Sequence, residues 1–223
     1  VLHQRLERGP VSGFNKITAD AFEKLQFGAG IVCKSFDPAK PAAVADENIL
    51  FATSGGIKFE AKPTYTDYGE DIDNCPKNMK ELKRLDSWEA TLSGTALTID
   101  TASATKVTGA ADASGNKVAP RNDVKPADFS DVWWVGNYGE NGCAAVHLIN
   151  ALSTDGFSLQ TGDKAKGQFP FAFTGHYSID SQDTPPFELY IVKTSTAVAH
   201  AADEGSAEGE AADEGVAEGE AVA

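Results

Sequence analysis

The sequence predicts a mainly β domain: an antiparallel β-sandwich or small barrel with one flanking α-helix and a long loop. Three observations predict it. Phe169, Phe171 and Phe173 fall on alternate positions, Tyr177 and Ile179 keep the same parity, and Gln168, Thr174, His176, Ser178 and Asp180 take the other. A period of two puts the aromatics on one face of a strand, so Lys166–Asp180 is expected to anchor a sheet. Similar short runs recur along the chain between Gly, Pro and Asn/Asp turn signals, the spacing of an antiparallel fold. Helical spacing is confined to a short turn over Ile17–Leu25 and one modest helix over Thr101–Ala111.

In order, Val1–Pro10 is polar and ends in a Gly-Pro breaker. We expect the first ten residues to lie upstream of the true start or to belong to a disordered leader that spans residues 1–13. Gly28–Cys33 reads as a first strand, broken by Asp37-Pro-Ala-Lys-Pro41. Asn48–Phe51 leads into Ala52–Ala61, where Gly55-Gly56 marks a turn or a close backbone approach, because glycine tolerates positive φ. Ile57, Phe59 and Ala61 then alternate with Lys58, Glu60 and Lys62, a strand with one wet face.

Lys62–Ser87 is the longest irregular piece, and a loop of about 25 residues inside a compact domain is usually functional or disordered. It carries Tyr65, Asp67, Tyr68, Glu70, Asp71 and Asp73, then Lys77, Lys80, Lys83 and Arg84. Two readings stand: a loop that docks on a partner, or a solvated loop with a short helix near Met79–Leu85. Trp88–Asp100 alternates with Trp88, Ala90 and Leu92 on one face, and Gly94 breaks the parity as a bulge would. Thr101 or Ser103 is expected to cap the helix. Asp112–Lys117 is a turn. Strands are expected at Asp128–Tyr138, Ala144–Leu152, Gly156–Gln160 and Phe187–Val192, with a turn at Glu140–Cys143 and a hairpin loop at Gly162–Gly167. Trp133 and Trp134 have opposite parity, so one ring faces the core and the other an interface.

The formal net charge is −14. Eight of the acids (Asp203, Glu204, Glu208, Glu210, Asp213, Glu214, Glu218, Glu220) lie in a ten-residue repeat, Ala201–Glu210 and Ala211–Glu220, that differs only at Ser206/Val216. Residues 195–223 cannot bury enough apolar surface to order themselves and are expected to be disordered. Without those eight, 25 acids face 19 bases, a body charge of about −6. Such a body does not grip nucleic acid by neutralising phosphates. Cys33, Cys75 and Cys143 are widely spaced and odd in number, which reads as three free thiols in a reducing compartment. No apolar run is long enough to span a membrane, and no secretory signal is expected.

A search for chemistry finds none. Gly55-Gly56 before Lys58 lacks the spacing of a phosphate loop. No Gly-x-Ser-x-Gly occurs. Asp71 and Asp73 lack the closing Glu of a calcium loop and read as solvated acids. His147, mid-strand, reads as a satisfied core or interface histidine, and His176 faces away from the Phe stripe. No catalytic, cofactor-binding or metal-binding residue is expected, and no cofactor.

Three segments together carry a resemblance: Asp131-Val-Trp-Trp-Val-Gly-Asn-Tyr138; Ala145–Lys164; and Lys166–Asp180 with Pro186-Phe-Glu-Leu-Tyr190. They resemble the major tail (tail tube) proteins of long-tailed phages and prophages of Gram-positive bacteria. Ala52-Thr-Ser-Gly-Gly-Ile-Lys-Phe59 is similar to that family's early Ala-Thr-x-Gly-Gly-x-x-Phe strand. The resemblance covers roughly Phe14–Val192, within an expected domain of residues 14–194. It implies a non-enzymatic structural subunit that forms stacked hexameric rings, with itself, a tape-measure protein and tail-end proteins as partners. Double-stranded DNA would pass through the bore without specific binding, no membrane is involved, and the expected location is the virion tail, or the bacterial host cytoplasm during assembly. The resemblance also implies that the long loop docks one subunit on the next, so Tyr65, Asp67, Tyr68, Asp71, Asp73, Lys77 and Lys80 are the candidate docking residues. A secreted β-sandwich module that binds ligands or cell surfaces is the alternative expectation.

Overall fold

The computed structural model describes Ala21 and residues 26–41, 43–139 and 142–193. The expectations for the leader, for Ile17–Leu25 and for the acidic repeat lie outside these residues, apart from Ala21.

The domain is mainly β and antiparallel, with one α-helix among the described residues. The first layer is, in spatial order, β2 (Ile49–Phe51), β1 (Gln26–Cys33), β7 (Ser130–Tyr138), β8 (Gly142–Ser153) and β10 (Phe187–Lys193). The second is β3 (Thr53–Asp67), β4 (Lys83–Ala96) and β9 (Phe169–Thr174), with the end of β8 beside β9. β8 belongs to both layers. Residues 142–148 pair with β7 and β10, whereas Leu152 and Ser153 pair with β9. Asn150, between them, has φ 48°, a left-handed conformation asparagine tolerates better than most residues, and this bend lets one strand serve both sheets.

The apolar alternation becomes a core between the layers. Val32, Phe51, Val132 and Leu148 from the first meet Leu92, Phe171 and Phe173 from the second, all buried. The Phe51 and Phe171 rings lie 4.7 Å apart across the interface, and those of Phe59 and Phe187 lie 5.5 Å apart. Trp88, Ala90 and Leu92 share a face as expected: the last two are buried, and Trp88 packs edge-on to Phe187. Trp134 faces this core, while Trp133 faces outward into a second small cluster with Cys33, Phe36, Ala145 and Tyr190. The two rings do diverge, but the outer one is covered by its own chain.

Several local expectations are corrected. The bulge is not at Gly94 but opposite it: Ser54 pairs with Thr95 and Ile57 with Gly94, leaving Gly55 and Gly56 as extra residues in β3. Their φ values of 76° and 78° are what glycine supplies. Gly94 instead makes room, since a Cβ there would stand 2.8 Å from Ile57 Cγ2 and 3.0 Å from Phe171 Cζ. Helix α1 (Thr101–Thr108) is capped by Asp100, whose carboxylate accepts from Ser103 N at 2.7 Å while Ser103 Oγ accepts from Asp100 N at 2.9 Å. This capping box uses Ser103 as the third helical residue rather than as the cap. The Asp112–Lys117 turn is the tip of a hairpin, β5 (Ala111–Ser114) and β6 (Lys117–Pro120). Arg121 ties it down, with its guanidinium 3.0 Å from Asp112 and 2.5 Å from Asp128.

β9 stops at Thr174 rather than running to Asp180. Gly175 N donates to Ala90 O, the chain turns away, and Tyr177 Oη accepts from Trp88 N at 2.8 Å. Tyr177 and Ile179 keep the parity of the Phe stripe but have no sheet to face and are exposed. Gly156–Gln160 is not a strand. It makes one bridge, Gln160 to Gln168, and Phe157 and Leu159 stay exposed.

Candidate interaction surfaces

The largest departure from the expected chain path is at Lys62–Ser87, which is not one long loop. β3 and β4 stay paired from Ala61/Ala90 to Asp67/Lys83, while β9 leaves β4 at Thr91. The hairpin therefore continues past the sandwich as a two-stranded arm, and only Tyr68–Leu82 is irregular. Thr64, Tyr65 and Thr66 are good strand formers, but these positions are exposed on both faces, so no apolar period marks them. The expected helix at Met79–Leu85 is a single 3-10 turn, Lys80–Leu82, followed by β4.

The arm tip is internally tied. Asp67 accepts from Gly69 N at 2.9 Å and Asn78 N at 2.8 Å, and these amides, with Lys83 and Lys77 nearby, hold its carboxyl below the usual range. Asp67 is thus the tip's anchor. Tyr65 and Tyr68 are half exposed, with Lys83 Nζ 5.4 Å from the Tyr65 ring centroid. Asp71, Asp73, Lys77 and Lys80 all face solvent. The arm thus collects the predicted residues at one end of the molecule. It adds Ile72, Met79 and Leu85, exposed apolar side chains that sequence reading left in a loop or a short helix.

The opposite end of β4 carries a second exposed group. Thr91 lies opposite Thr174 at the arm's base, and Ala96 lies opposite Phe169 at the far end. Beyond Phe169, the loop closed by Gln160 and Gln168 presents Lys164 and Lys166, and the segment leading into it presents Phe157 and Leu159. An arm tip of exposed acids, lysines and apolar side chains thus stands at one end of the sandwich, and a segment with Phe157, Leu159, Asp163, Lys164 and Lys166 at the other.

The sheet edges differ in protection. β2 has three residues. β3 bears the exposed Lys58–Glu60–Lys62 ion pairs, the Gly55-Gly56 bulge and Pro63, features that discourage edge pairing. β10 has β8 on one side and, among the described residues, no strand on the other. It is seven residues long without proline or bulge. Leu189 and Ile191 share the parity of Phe187 yet remain 61% and 68% exposed.

On its other face β10 joins a polar row. Trp133, His147 and Glu188 are direct neighbours across β7, β8 and β10. The His147 ring lies flat on Trp133, with centroids 3.9 Å apart and planes 7° from parallel. Its Nε2 is 3.0 Å from Asp131 Oδ2, and its Nδ1 is 3.2 Å from Glu188 Oε2. Tyr190 Oη donates to the same Glu188 oxygen at 2.5 Å. This bond, then that of His147, holds the Glu188 carboxyl below its usual range, and Glu188 in turn pushes the Tyr190 phenol up. His147 is thus a satisfied histidine, though it satisfies carboxylates on the surface rather than a core.

His176 has Nδ1 3.2 Å from the Asn150 carbonyl and sits edge-on to Phe129, beside an open groove of about 520 Å³ that Tyr177 and Ile179 also line. The three cysteines are free thiols, and burial pushes that of Cys33 up to about 11. Among the described residues no three His, Cys, Asp or Glu side chains are placed to hold a metal ion, and no helix is long and apolar enough to cross a membrane. Compared with known proteins, the chain matches no family model and no curated protein.

Proposed function

We propose that the protein is a structural subunit of a phage or prophage tail tube, assembling into stacked hexameric rings through which double-stranded DNA passes. The observation that carries this reading is the pairing of an unprotected edge strand with a projecting arm. Among the described residues β10 offers a row of free backbone groups flanked by exposed Leu189 and Ile191, which suits a strand from a neighbouring copy and side-by-side ring closure. The arm at one end and the Phe157, Leu159, Lys164 and Lys166 loop at the other suit a head-to-tail contact, which repeats from copy to copy. Glu70, Asp71 and Asp73 at the tip complement the two lysines.

The motif resemblance around Asp131–Tyr138, Ala145–Lys164 and Lys166–Asp180 supports the same reading, and it is the source of the ring number and of the tape-measure and tail-end partners. A body charge of about −6 per subunit repels phosphates, so DNA slides without sticking. The work of such a subunit is mechanical: it encloses a bore and bonds no substrate. In this reading the protein resides in the virion tail after assembly in the host cytoplasm.

The test is deletion of Asp67–Lys80, followed by negative-stain microscopy of the purified protein beside wild type. Wild type is expected to form tubes of uniform width, and the deletion a folded subunit that does not stack. Normal tubes from the deletion would remove the arm from the mechanism. A wild-type protein that stays monomeric at every concentration, with or without assembly partners, would favour the surface-binding module instead.

A further inference from the structure

We infer that Asp131, His147 and Glu188 form a protonation-dependent clamp that sets how firmly β10 is held against its sheet. The inference concerns regulation of the edge proposed above; its consequence for assembly depends on the tube reading, but the clamp itself does not.

The three residues come from three adjacent strands, β7, β8 and β10, so they tie the edge strand to the second strand inward as well as to its immediate neighbour. Each ring nitrogen of His147 faces a carboxylate oxygen, at 3.0 Å and 3.2 Å. An ionised carboxylate only accepts, and a neutral imidazole has a single N–H, so only the doubly protonated ring can donate to both. Other donors keep the carboxylates ready as acceptors: Asn150 N donates to Asp131 Oδ1 at 3.1 Å, and Tyr190 Oη donates to Glu188. Trp133 lies flat against the ring and offers its π face to the cation. The titratable and charged groups around His147 are therefore Asp131 on β7, Glu188 and Tyr190 on β10, and Lys106 of α1 within Coulombic reach of Asp131.

The sign follows from these partners. Histidine changes charge between about pH 5 and 8. A neutral ring keeps one N–H, so its lone pair faces one of the carboxylates and one arm of the clamp is open, whereas the cationic ring closes both. At the acid end Glu188, held below its usual range, keeps its charge until the pH falls through that lowered value, and the other arm is then lost. β10 is firmest while the ring is doubly protonated and both carboxylates are charged, and it loosens when either condition fails.

Hydrogen exchange on the full chain, kept dilute enough to stay unassembled, tests this. After correction for intrinsic rates, those β10 amides that bond to β8 should open roughly tenfold more often at about pH 8 than at about pH 5.5, the size of one charge-assisted hydrogen bond. β4 and β9 serve as the internal reference. His147→Gln should flatten the alkaline limb, and Glu188→Gln should flatten the acid limb as well. Either variant suffices if the other fails to fold. A wild-type β10 that tracks β9 at every pH overturns the clamp, as does an unchanged profile in a folded variant. If the exchange profile is as expected but no tubes form at any pH, the clamp stands and the tube reading falls.

Discussion

Replacing Leu189 and Ile191 together by threonine separates an edge that awaits a partner from one that is merely uncovered. Both side chains have the parity of Phe187, which packs on Phe59, and both lie across from β8 residues, Val146 and Ala144. They are nevertheless 61% and 68% exposed. Fully burying such a side chain is worth about 1.5–3 kcal/mol, so covering the exposed part yields about 1–2 kcal/mol each. Threonine keeps a methyl and the β-branched shape of a strand former, so the double variant forfeits roughly 2–3 kcal/mol per lateral contact. That weakens each contact roughly 30- to 150-fold. The isolated subunit should change by only about 0.5 kcal/mol, as exposed substitutions do. Sedimentation velocity over a concentration series reads the first quantity, and urea unfolding of the unassembled chain reads the second. If the variant assembles from the same concentration as wild type, β10 is not the lateral contact. If its urea midpoint falls sharply, the two residues belong to the core and the exposure argument is wrong.

Two stability measurements test the local packing. Gly94→Ala puts a methyl 2.8 Å from Ile57 and 3.0 Å from Phe171, and should cost about 1–3 kcal/mol in urea unfolding; a neutral result would mean that the Ile57 and Phe171 side chains on the flanking strands move aside easily. Asp100→Ala removes the carboxylate that accepts from Ser103 N, and should cost about 1 kcal/mol with a matching drop in Tm. An unchanged Tm would show that α1 is held by Val107 alone.

What was legible in the sequence follows from where burial is one-sided. Ile57 and Phe59 in β3, Trp88 to Leu92 in β4 and the three phenylalanines of β9 announce their strands because one face meets a core and the other does not. The arm was misread because that contrast is missing. Tyr65, Tyr68 and Leu85 are exposed, so nothing in the pattern of residues 62–87 separates paired strand from loop. Gly156–Gln160 fails in reverse: Phe157 and Leu159 alternate, but no second layer reaches them. The capping box at Asp100 is a pair of reciprocal hydrogen bonds, and the hairpin at Ala111–Pro120 is two short, mostly exposed strands, both too brief to show as a period.

The candidate surfaces divide in the same way. Sequence alone determined the fold class, the helix, the strands that build the core and the cluster of acids, tyrosines and lysines between Tyr65 and Lys80. It also determined the opposite parity of Trp133 and Trp134. Only the tertiary structure decided that β10 has, among the described residues, no strand on its outer side, that the arm and the Phe157–Lys166 loop stand at opposite ends of β4, and that Asp67 accepts from the backbone of its own tip. It alone brought His147 between Asp131 and Glu188, from three neighbouring strands of which β10 is distant in the chain. The physical reason is that alternation reports whether a side chain is buried, which is local, whereas neighbours across a sheet are chosen by strand order, which no single segment encodes.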